Sequence, residues 1–277
     1  MRSTGSRSSR PTPSRRSSSK KSSWVSKEPD DIMQQSQEHK ECQPSAGAQG
    51  AFPTGVHTKF NVDGSVRAFP GNTIICHLAP TSRLYAALSS LYGALERSDL
   101  SELYSLLPPS SWHMTVFEGV CDQVRRPGFW PADLGLDAPL AECDALFADK
   151  LSSFDLSYDP PYRLCIAGWQ PLVNGIALRL VPATSAEETR LRHLRDRLSE
   201  LLQLRHPGHE DYVFHLSIAY LIRHPDEEQQ AALSALLFKL LSGLPAEFEL
   251  GAAEFCRFAD MFAFRRQFFL QSPARGG

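Results

Sequence analysis

Strand-like and helix-like segments alternate along this chain of 277 residues, and their order is similar in its two halves. In the first half, the apolar, β-branched run from Thr73 to Ala79 predicts a strand, and Ser82 can cap the helix that the leucine spacing predicts after it. A second strand is predicted from Trp112 to Gly119, and a second helix from Leu140 to Leu151. Such alternation requires a fold in which sheets and helices share a core.

The second half continues the alternation with more strands. Its predicted elements are, in chain order, strands from Tyr162 to Gln170 and from Gly175 to Val181, an amphipathic helix around Leu191 to Leu202, a strand from Tyr212 to Ile222, a helix from Asp226 to Leu241, and strands around Phe248, Phe255 and Phe262. The arginines of the amphipathic helix are expected to point mostly to solvent; they are Arg190, Arg192, Arg195 and Arg197. Two comparable lobes of mixed strands and helices predict an α+β or α/β domain with one shared core.

Charge is divided unevenly between a basic N-terminal tail and an acidic body. Residues 1–27 carry eight Lys or Arg and no acidic side chain, whereas the remaining 250 residues carry 21 basic and 31 acidic side chains. The polar, aperiodic composition predicts a disordered tail and linker over residues 1–56, a folded domain over residues 57–270 and a short disordered tail over residues 271–277. The basic tail also fits an organellar transit peptide or a nuclear address, and these alternatives stay open.

Composition argues against several classes of protein. No stretch approaches the roughly 20 apolar residues of a membrane-spanning helix. The acidic body argues against binding of long duplex nucleic acid, which depends on neutralised phosphates. The six cysteines are far apart and form no Cys-x-x-Cys pair, so we interpret them as reduced thiols. We also expect a monomeric, intracellular protein of the cytoplasm or nucleus.

Two short motifs share the pattern histidine, apolar residue, hydroxyl residue, and each lies in a predicted strand. They are His113-Met114-Thr115 and His215-Leu216-Ser217. Because side chains alternate between the two faces of a strand, each histidine shares a face with its hydroxyl residue. The apolar residue between them then points to the opposite face, where core packing needs it. The strand context makes an otherwise common pattern informative.

Two imidazoles and two hydroxyls in one cleft are suited to the cleavage of a phosphate ester. One neutral imidazole can accept the proton of an attacking water while the other, protonated, donates to the leaving oxygen. The hydroxyls of Thr115 and Ser217 can donate hydrogen bonds to the non-bridging phosphate oxygens. This chemistry needs no metal ion and no cofactor. The residues do not indicate whether His113 or His215 is the acid, and a coupled pair predicts a bell-shaped dependence of rate on pH.

The duplicated motif, in strands of two similarly ordered halves, resembles the two-histidine (2H) phosphoesterase superfamily, which includes LigT-type RNA 2′,3′-cyclic phosphodiesterases. The resemblance covers residues 57–270. Within it, the segments around Gly71, His113 and His215 are similar to a branch described as RNA ligase-like or cyclic nucleotide phosphodiesterase-like. The resemblance implies an α+β, bilobal fold in which two antiparallel sheets form a central cleft with helices outside.

The same resemblance implies a function and a set of catalytic residues. It implies hydrolysis, without a cofactor, of a 2′,3′-cyclic phosphate or a related cyclic or 2′ phosphodiester on RNA ends or nucleotides. Catalytic roles are implied for His113, Thr115, His215 and Ser217. A catalytically silent module on the same fold, which only binds a nucleotide or an RNA end, is the alternative function.

Other residues are weaker candidates. His77 lies on the first predicted strand and could line the cleft, and Trp112 and Tyr212 could stack on a nucleobase. All three also fit ordinary packing or structural roles. A metallohydrolase built on His206 and His209 is a further alternative, although these residues lack a helical metal-binding frame and a cysteine partner.

Overall fold

Two antiparallel β-sheets form the framework of the structure, a computed structural model that describes residues 51–271. The strands are β1 (Gly71–His77), β2 (Tyr104–Leu106), β3 (His113–Cys121), β4 (Tyr162–Trp169), β5 (Gly175–Pro182), β6 (His215–Leu221), β7 (Glu247–Leu250), β8 (Glu254–Asp260) and β9 (Ala263–Phe269). One sheet has the order β3-β1-β8-β9, and the other has the order β2-β6-β5-β4-β7.

Helices connect these strands and cover the core. They are α1 (Arg83–Glu96), α2 (Leu140–Ser152), α3 (Ser185–Leu202) and α4 (Glu227–Leu241), with short 3₁₀ turns at Ser101–Leu103 and Pro109–Ser111. The predicted Ser82 cap is present, because its hydroxyl accepts a hydrogen bond from the Tyr85 amide, and Asp226 additionally forms a capping box with Gln229. The α+β class with two antiparallel sheets is confirmed.

Most predicted elements are present, with differences at their ends. Strand β2 is only three residues long and was not predicted, because so short a run carries no alternation. Strand β6 begins at His215 rather than at Tyr212. Phe262 lies in the turn between β8 and β9, so the last predicted strand begins one residue later. The strands that carry the two histidine motifs are confirmed.

Both motif strands contain a β-bulge directly after the hydroxyl residue. The register of β1 and β3 passes from Ile75–Thr115 to Ile74–Phe117, and that of β5 and β6 passes from Ala177–Ser217 to Ile176–Ala219. Each motif strand therefore has one extra residue, Val116 or Ile218, and that residue is buried. A bulge bends the strand and changes the direction of its side chains. The two motifs thus share a local backbone geometry as well as a sequence pattern.

Helix α3 contradicts the expectation of a solvent-facing arginine row. Arg195 is completely buried, donates to the Val116 carbonyl at 2.7 Å and pairs with Glu118 at 3.0 Å. Arg192 donates to the Tyr212 carbonyl at 2.7 Å. The expectation was wrong because carbonyls and a carboxylate on other elements compensate the buried guanidinium. One helix therefore holds the backbone beside both motifs.

The segment before β1 packs across one end of the two sheets. Its apolar residues form a second, smaller core with residues of both sheets: Val56, Phe60, Phe69, Leu107, Ile222, Phe258 and Met261. Pro53 and Val56 are already buried, so packed chain begins a few residues before the predicted start at His57. Most of the predicted N-terminal tail, residues 1–50, and the C-terminal residues 272–277 lie outside the described residues.

Two further expectations concern cysteines and membranes. The five cysteines within residues 51–271 are free thiols, as expected: Cys76, Cys121, Cys143, Cys165 and Cys256. In this part of the chain, no helix is both long enough and apolar enough to cross a bilayer.

Candidate active site

The two motifs lie on strands that contact each other across the two sheets. Strand β3 is the edge strand of the four-stranded sheet, and it contacts β6 of the five-stranded sheet. In each motif the histidine and the hydroxyl residue are half-buried, while the residue between them, Met114 or Leu216, is fully buried. The alternation predicted from the sequence is therefore present in both strands. His113 and Thr115 on β3, and His215 and Ser217 on β6, thus lie half-buried on two strands that contact each other.

Both motif histidines make the same backbone hydrogen bond. His113 Nδ1 lies 2.6 Å from the carbonyl oxygen of Ser111, and His215 Nδ1 lies 3.0 Å from that of Val213. Because a carbonyl can only accept, Nδ1 carries the proton in each ring, and Nε2 carries the lone pair whenever the ring is neutral. In both cases the acceptor is two residues before the histidine. The backbone thus fixes the same tautomer in both motifs.

The surroundings of His113 keep it uncharged. Burial is the largest cause that lowers the pKa of His113 to about 4; the hydrogen bond to Ser111 and the charge of Glu254 oppose it, and the neighbouring His77 and His215 lower the pKa as well. The Phe264 ring packs against it with 4.3 Å between ring centroids. At neutral pH, His113 is therefore a proton acceptor. His215 is near enough to His113 to lower its pKa electrostatically.

Arg179 is the register partner of His215. It lies on β5 directly opposite the histidine, so the two side chains share a face of the sheet, and Arg179 is exposed. The ring of Tyr212 lies 6.0 Å from that of His215. The second motif is therefore flanked by a cation where the first is flanked by an aromatic ring and another imidazole.

A lysine and a tyrosine contact each other beyond the second motif on β6. Lys59 Nζ lies 3.3 Å from the hydroxyl of Tyr220, which is on β6 beyond Ser217, and 4.9 Å from the centre of that ring. The lysine comes from the segment that bridges the two sheets. These contacts place a lysine beside the strand that carries the second motif.

The weaker substrate-binding candidates fall in different places. His77 is on the same face as His113, and the two are register partners with 6.1 Å between ring centroids. Trp112 is 1% exposed and packs in the core against Tyr85 and Tyr92, so it cannot stack on a base, because its position directly before His113 turns it to the core face. Tyr212 is 9% exposed and packs on the Arg195 guanidinium. Tyr212 therefore packs beside the His215 ring and exposes too little of its own ring for a base to stack on.

His206 and His209 are held by structural contacts. His206 Nε2 lies 2.7 Å from the Gly119 carbonyl, and His209 Nε2 lies 3.0 Å from Asp196 Oδ1. Both rings also pack edge-on against Phe117. Their nitrogens anchor the loop after α3 to β3 and to the helix. This geometry argues against the alternative of a metallohydrolase at these two residues.

Glu254 and Phe264 are neighbours of the motifs that the sequence did not reveal. Glu254 is buried on β8 and bonds to His77, and Phe264 on β9 packs on His113. Both come from the last two strands, roughly 140 to 180 residues from their partners. Only the strand register brings them to the first motif, and no local spacing signals it.

Comparison with known proteins supports the resemblance that the sequence motifs indicate. Residues 59–174 match a family model described as "2H-phosphodiest: Domain of unknown function (DUF1868)", a segment that contains the first motif. The crystal structure of the conserved protein of unknown function ATU0111 from Agrobacterium tumefaciens str. C58 is similar, with a TM-score of 0.74 and 27% identity over 81% of this chain and 95% of that one.

Two other comparisons add little. The crystal structure of TT0787 of Thermus thermophilus has a TM-score of 0.40 and 13% identity over 73% of this chain and 99% of that one, a likeness too distant to support an argument. A search of curated proteins finds no match. The family model and the ATU0111 fold agree with the paired motifs, and together they support membership of the two-histidine (2H) phosphoesterase superfamily.

Proposed function

We propose that this protein is a metal-independent phosphodiesterase that hydrolyses 2′,3′-cyclic phosphates, or closely related cyclic and 2′ phosphodiesters, of RNA ends or nucleotides. The observation that carries the proposal is the matched pair of histidines, each with Nδ1 committed to a backbone carbonyl at 2.6 or 3.0 Å. This arrangement leaves Nε2 of both rings as the atom for proton transfer. A single phosphate held between the two strands can then meet a base on one side and an acid on the other.

The reaction assigns a different task to each histidine. Neutral His113 takes a proton from water through Nε2 as the water oxygen bonds to phosphorus. His215, protonated, gives its proton to the leaving ribose oxygen as the phosphorus–oxygen bond of the ring breaks. The product is a phosphomonoester, and the two rings return to their starting states by proton exchange with solvent. The low pKa of His113, caused by burial, supports its assignment as the base.

The hydroxyls and the flanking cations serve the phosphate itself. Thr115 and Ser217 donate hydrogen bonds to the non-bridging oxygens, on which negative charge grows in the transition state. Arg179 and Lys59 attract an anionic substrate to an otherwise acidic protein. A small nucleotide or an RNA end fits these few cations better than a long duplex does.

A panel assay tests the proposal. Purified protein is incubated, with a chelator present, with nucleoside 2′,3′-cyclic phosphates, 2′-5′ linked oligonucleotides and ADP-ribose cyclic phosphate, and the product isomer is identified. We expect chelator-resistant turnover of at least one cyclic phosphate, and its loss in His113→Ala and in His215→Ala. His193→Ala is the matched control, because His193 is exposed on α3. Turnover that requires an added divalent ion would contradict the proposal.

A non-catalytic module that binds a nucleotide or an RNA end is the second candidate. The observation that favours it is the Phe264 ring, which packs on His113 at 4.3 Å and covers part of the imidazole. Saturable binding of a cyclic nucleotide without turnover, in the wild-type protein and over the full pH range, would favour this function over hydrolysis.

A further inference from the structure

A third imidazole lies on the cleft face of the four-stranded sheet, beside the first motif. His77 ends β1 and is the register partner of His113 on β3, with 6.1 Å between ring centroids. Its side chain is 24% exposed, so it can contact a ligand. A phosphate bound at His113 is within reach of this ring. Neither motif contains His77, and the two-histidine reaction leaves it without a task.

His77 differs from the motif histidines in its hydrogen-bond partner. Its Nδ1 lies 2.6 Å from Oε1 of Glu254, and its backbone amide donates to the same oxygen at 3.2 Å. Glu254 is only 2% exposed. His113 and His215 donate instead to backbone carbonyls. A carbonyl fixes a tautomer, whereas a carboxylate also stabilises a positive charge on the ring.

Glu254 is held in its ionised form. Burial alone would raise the pKa of this carboxyl, but the hydrogen bonds and charge of His77, together with Arg266, outweigh burial and lower the pKa. Arg266 Nε lies 3.3 Å from the other carboxylate oxygen, Oε2. The carboxylate therefore faces His77 on one side and a guanidinium on the other. Such a buried carboxylate is costly unless its partners are cationic.

A metal ion is the competing explanation for this cluster. Ligand atoms of His77, Glu254 and Cys256 lie within 4.8 Å of one another, the one such group in the described part of the chain. Against a cation, Oε1 is engaged by His77 and Oε2 faces the Arg266 guanidinium, so a divalent ion would have to lie next to a positive charge. Burial also raises the pKa of Cys256, which disfavours the thiolate that a metal requires. The contacts favour a charged imidazole over a metal ion.

We propose that His77, positively charged and held by Glu254, is a third catalytic side chain that stabilises the negative charge of the transition state. The inference rests on the proposed phosphodiester hydrolysis. As water adds to phosphorus, negative charge grows on the non-bridging oxygens, and Thr115 and Ser217 offer them only neutral donors. A charged donor forms the stronger hydrogen bond to such oxygens. His77 keeps its proton throughout, so the proton transfers remain those of His113 and His215.

Charge removal and charge restoration at one position test the inference. His77→Asn keeps a short donor for Glu254 and removes the charge, and His77→Lys restores a cation. We expect His77→Asn to lower kcat by about 10²-fold, as for loss of one transition-state donor, with KM changed by less than about threefold, because the contact forms in the transition state. His77→Lys should recover about tenfold of that loss. Glu254→Gln, which keeps an acceptor and removes the carboxylate, should lower kcat by about tenfold.

The controls separate this inference from the proposed function. His193→Asn, at an exposed histidine of α3, should leave kcat unchanged, and thermal melts of every variant check that the fold is retained. Turnover lost in His113→Ala but normal in His77→Asn would overturn the inference and leave the proposed function intact. His77→Lys no more active than His77→Asn would overturn it as well. Activation of the wild-type protein by a divalent ion, absent in His77→Asn, would favour a metal site instead, and a wild-type protein without turnover would overturn both proposals.

Discussion

The two motifs have nearly the same backbone but different surroundings. Each has a histidine whose Nδ1 is fixed by the carbonyl two residues earlier, a hydroxyl residue on the same face, and a bulge directly after it. His113, however, lies against Phe264 and opposite His77, whereas His215 lies opposite an exposed arginine, Arg179. The repeated backbone sets where the two imidazoles point. The neighbouring strands, which differ, set the charge around each of them.

In the proposed reaction, this difference in surroundings favours His113 as the base and His215 as the acid. The two similar motifs alone do not distinguish these roles. A dry, aromatic neighbourhood disfavours a charged ring, and it keeps His113 neutral. The guanidinium beside His215 offers attraction for an anionic substrate at the other side of the cleft. In the proposed hydrolysis, the two copies of the motif can therefore take opposite roles, one as base and one as acid.

The largest effect is expected from removing either imidazole. His113→Ala and His215→Ala should each lower kcat by about 10² to 10⁴-fold, the usual contribution of a general acid or base. Because both act on one phosphate, the double variant should be little worse than the more damaging single one. Single-turnover kinetics on a cyclic phosphate measure this. Fully additive losses would mean that the two rings act in separate steps or at separate sites.

The hydroxyl residues should show a smaller and more equal loss. Thr115→Val and Ser217→Ala each remove one donor to the phosphate, and we expect kcat to fall by about 10²-fold in each. Ser234→Ala, at an exposed position of α4, is the control. Steady-state kinetics with the same substrate give the comparison. A loss confined to one of the two variants would show that only one motif contacts the non-bridging oxygens.

The pH profile tests the neutral state of His113 directly. A base must be unprotonated, so activity should fall only as pH drops through the pKa of His113, which burial lowers to about 4. The acid limb of kcat/KM should therefore lie near pH 4 rather than near the ordinary histidine value of about 6.5. Phe264→Ala admits water to the ring and should move this limb to higher pH. An acid limb near 6.5 in the wild-type protein would contradict the assignment of His113 as base.

The smallest effect is expected from the arginine beside the second motif. Arg179→Gln should raise KM by about tenfold with little change in kcat, because it removes attraction for the substrate and no reacting group. The effect should shrink at high salt. Arg163→Gln is a matched control on β4, since Arg163 already pairs with Glu247 at 2.6 Å and with Glu249 at 3.9 Å. Equal effects of the two variants would mean that general surface charge, and not position, attracts the substrate.

Local patterns in the sequence were enough to predict the strands and the faces of the motifs. Alternation with a period of two placed Met114 and Leu216 in the core and their histidines on the other face. The same alternation places Trp112, directly before His113, in the core. Trp112 was predicted to bind substrate because its ring is aromatic, and its position in the strand was not taken into account.

Contacts between distant segments could not be predicted from local patterns. Glu254 reaches His77 through the pairing of β1 with β8, a register that no short segment encodes. Arg195 resembled a solvent-facing residue of an amphipathic helix, because the Glu118 that pairs with it lies 77 positions earlier, on β3. Polar residues inside a helix pattern are thus interpreted correctly only when the partner on another element is known.

The attachment of both motifs to one helix has a consequence for the distance between the imidazoles. Arg192 and Arg195 are three residues apart, about 4.5 Å along the axis of α3. Arg192 donates a hydrogen bond to the backbone near His215, and Arg195 donates one to the backbone near His113. In the proposed reaction, the separation of the two imidazoles around one phosphate would therefore depend on helix α3 rather than on the connecting loops. Insertions or deletions in those loops can accumulate without changing the reach between acid and base.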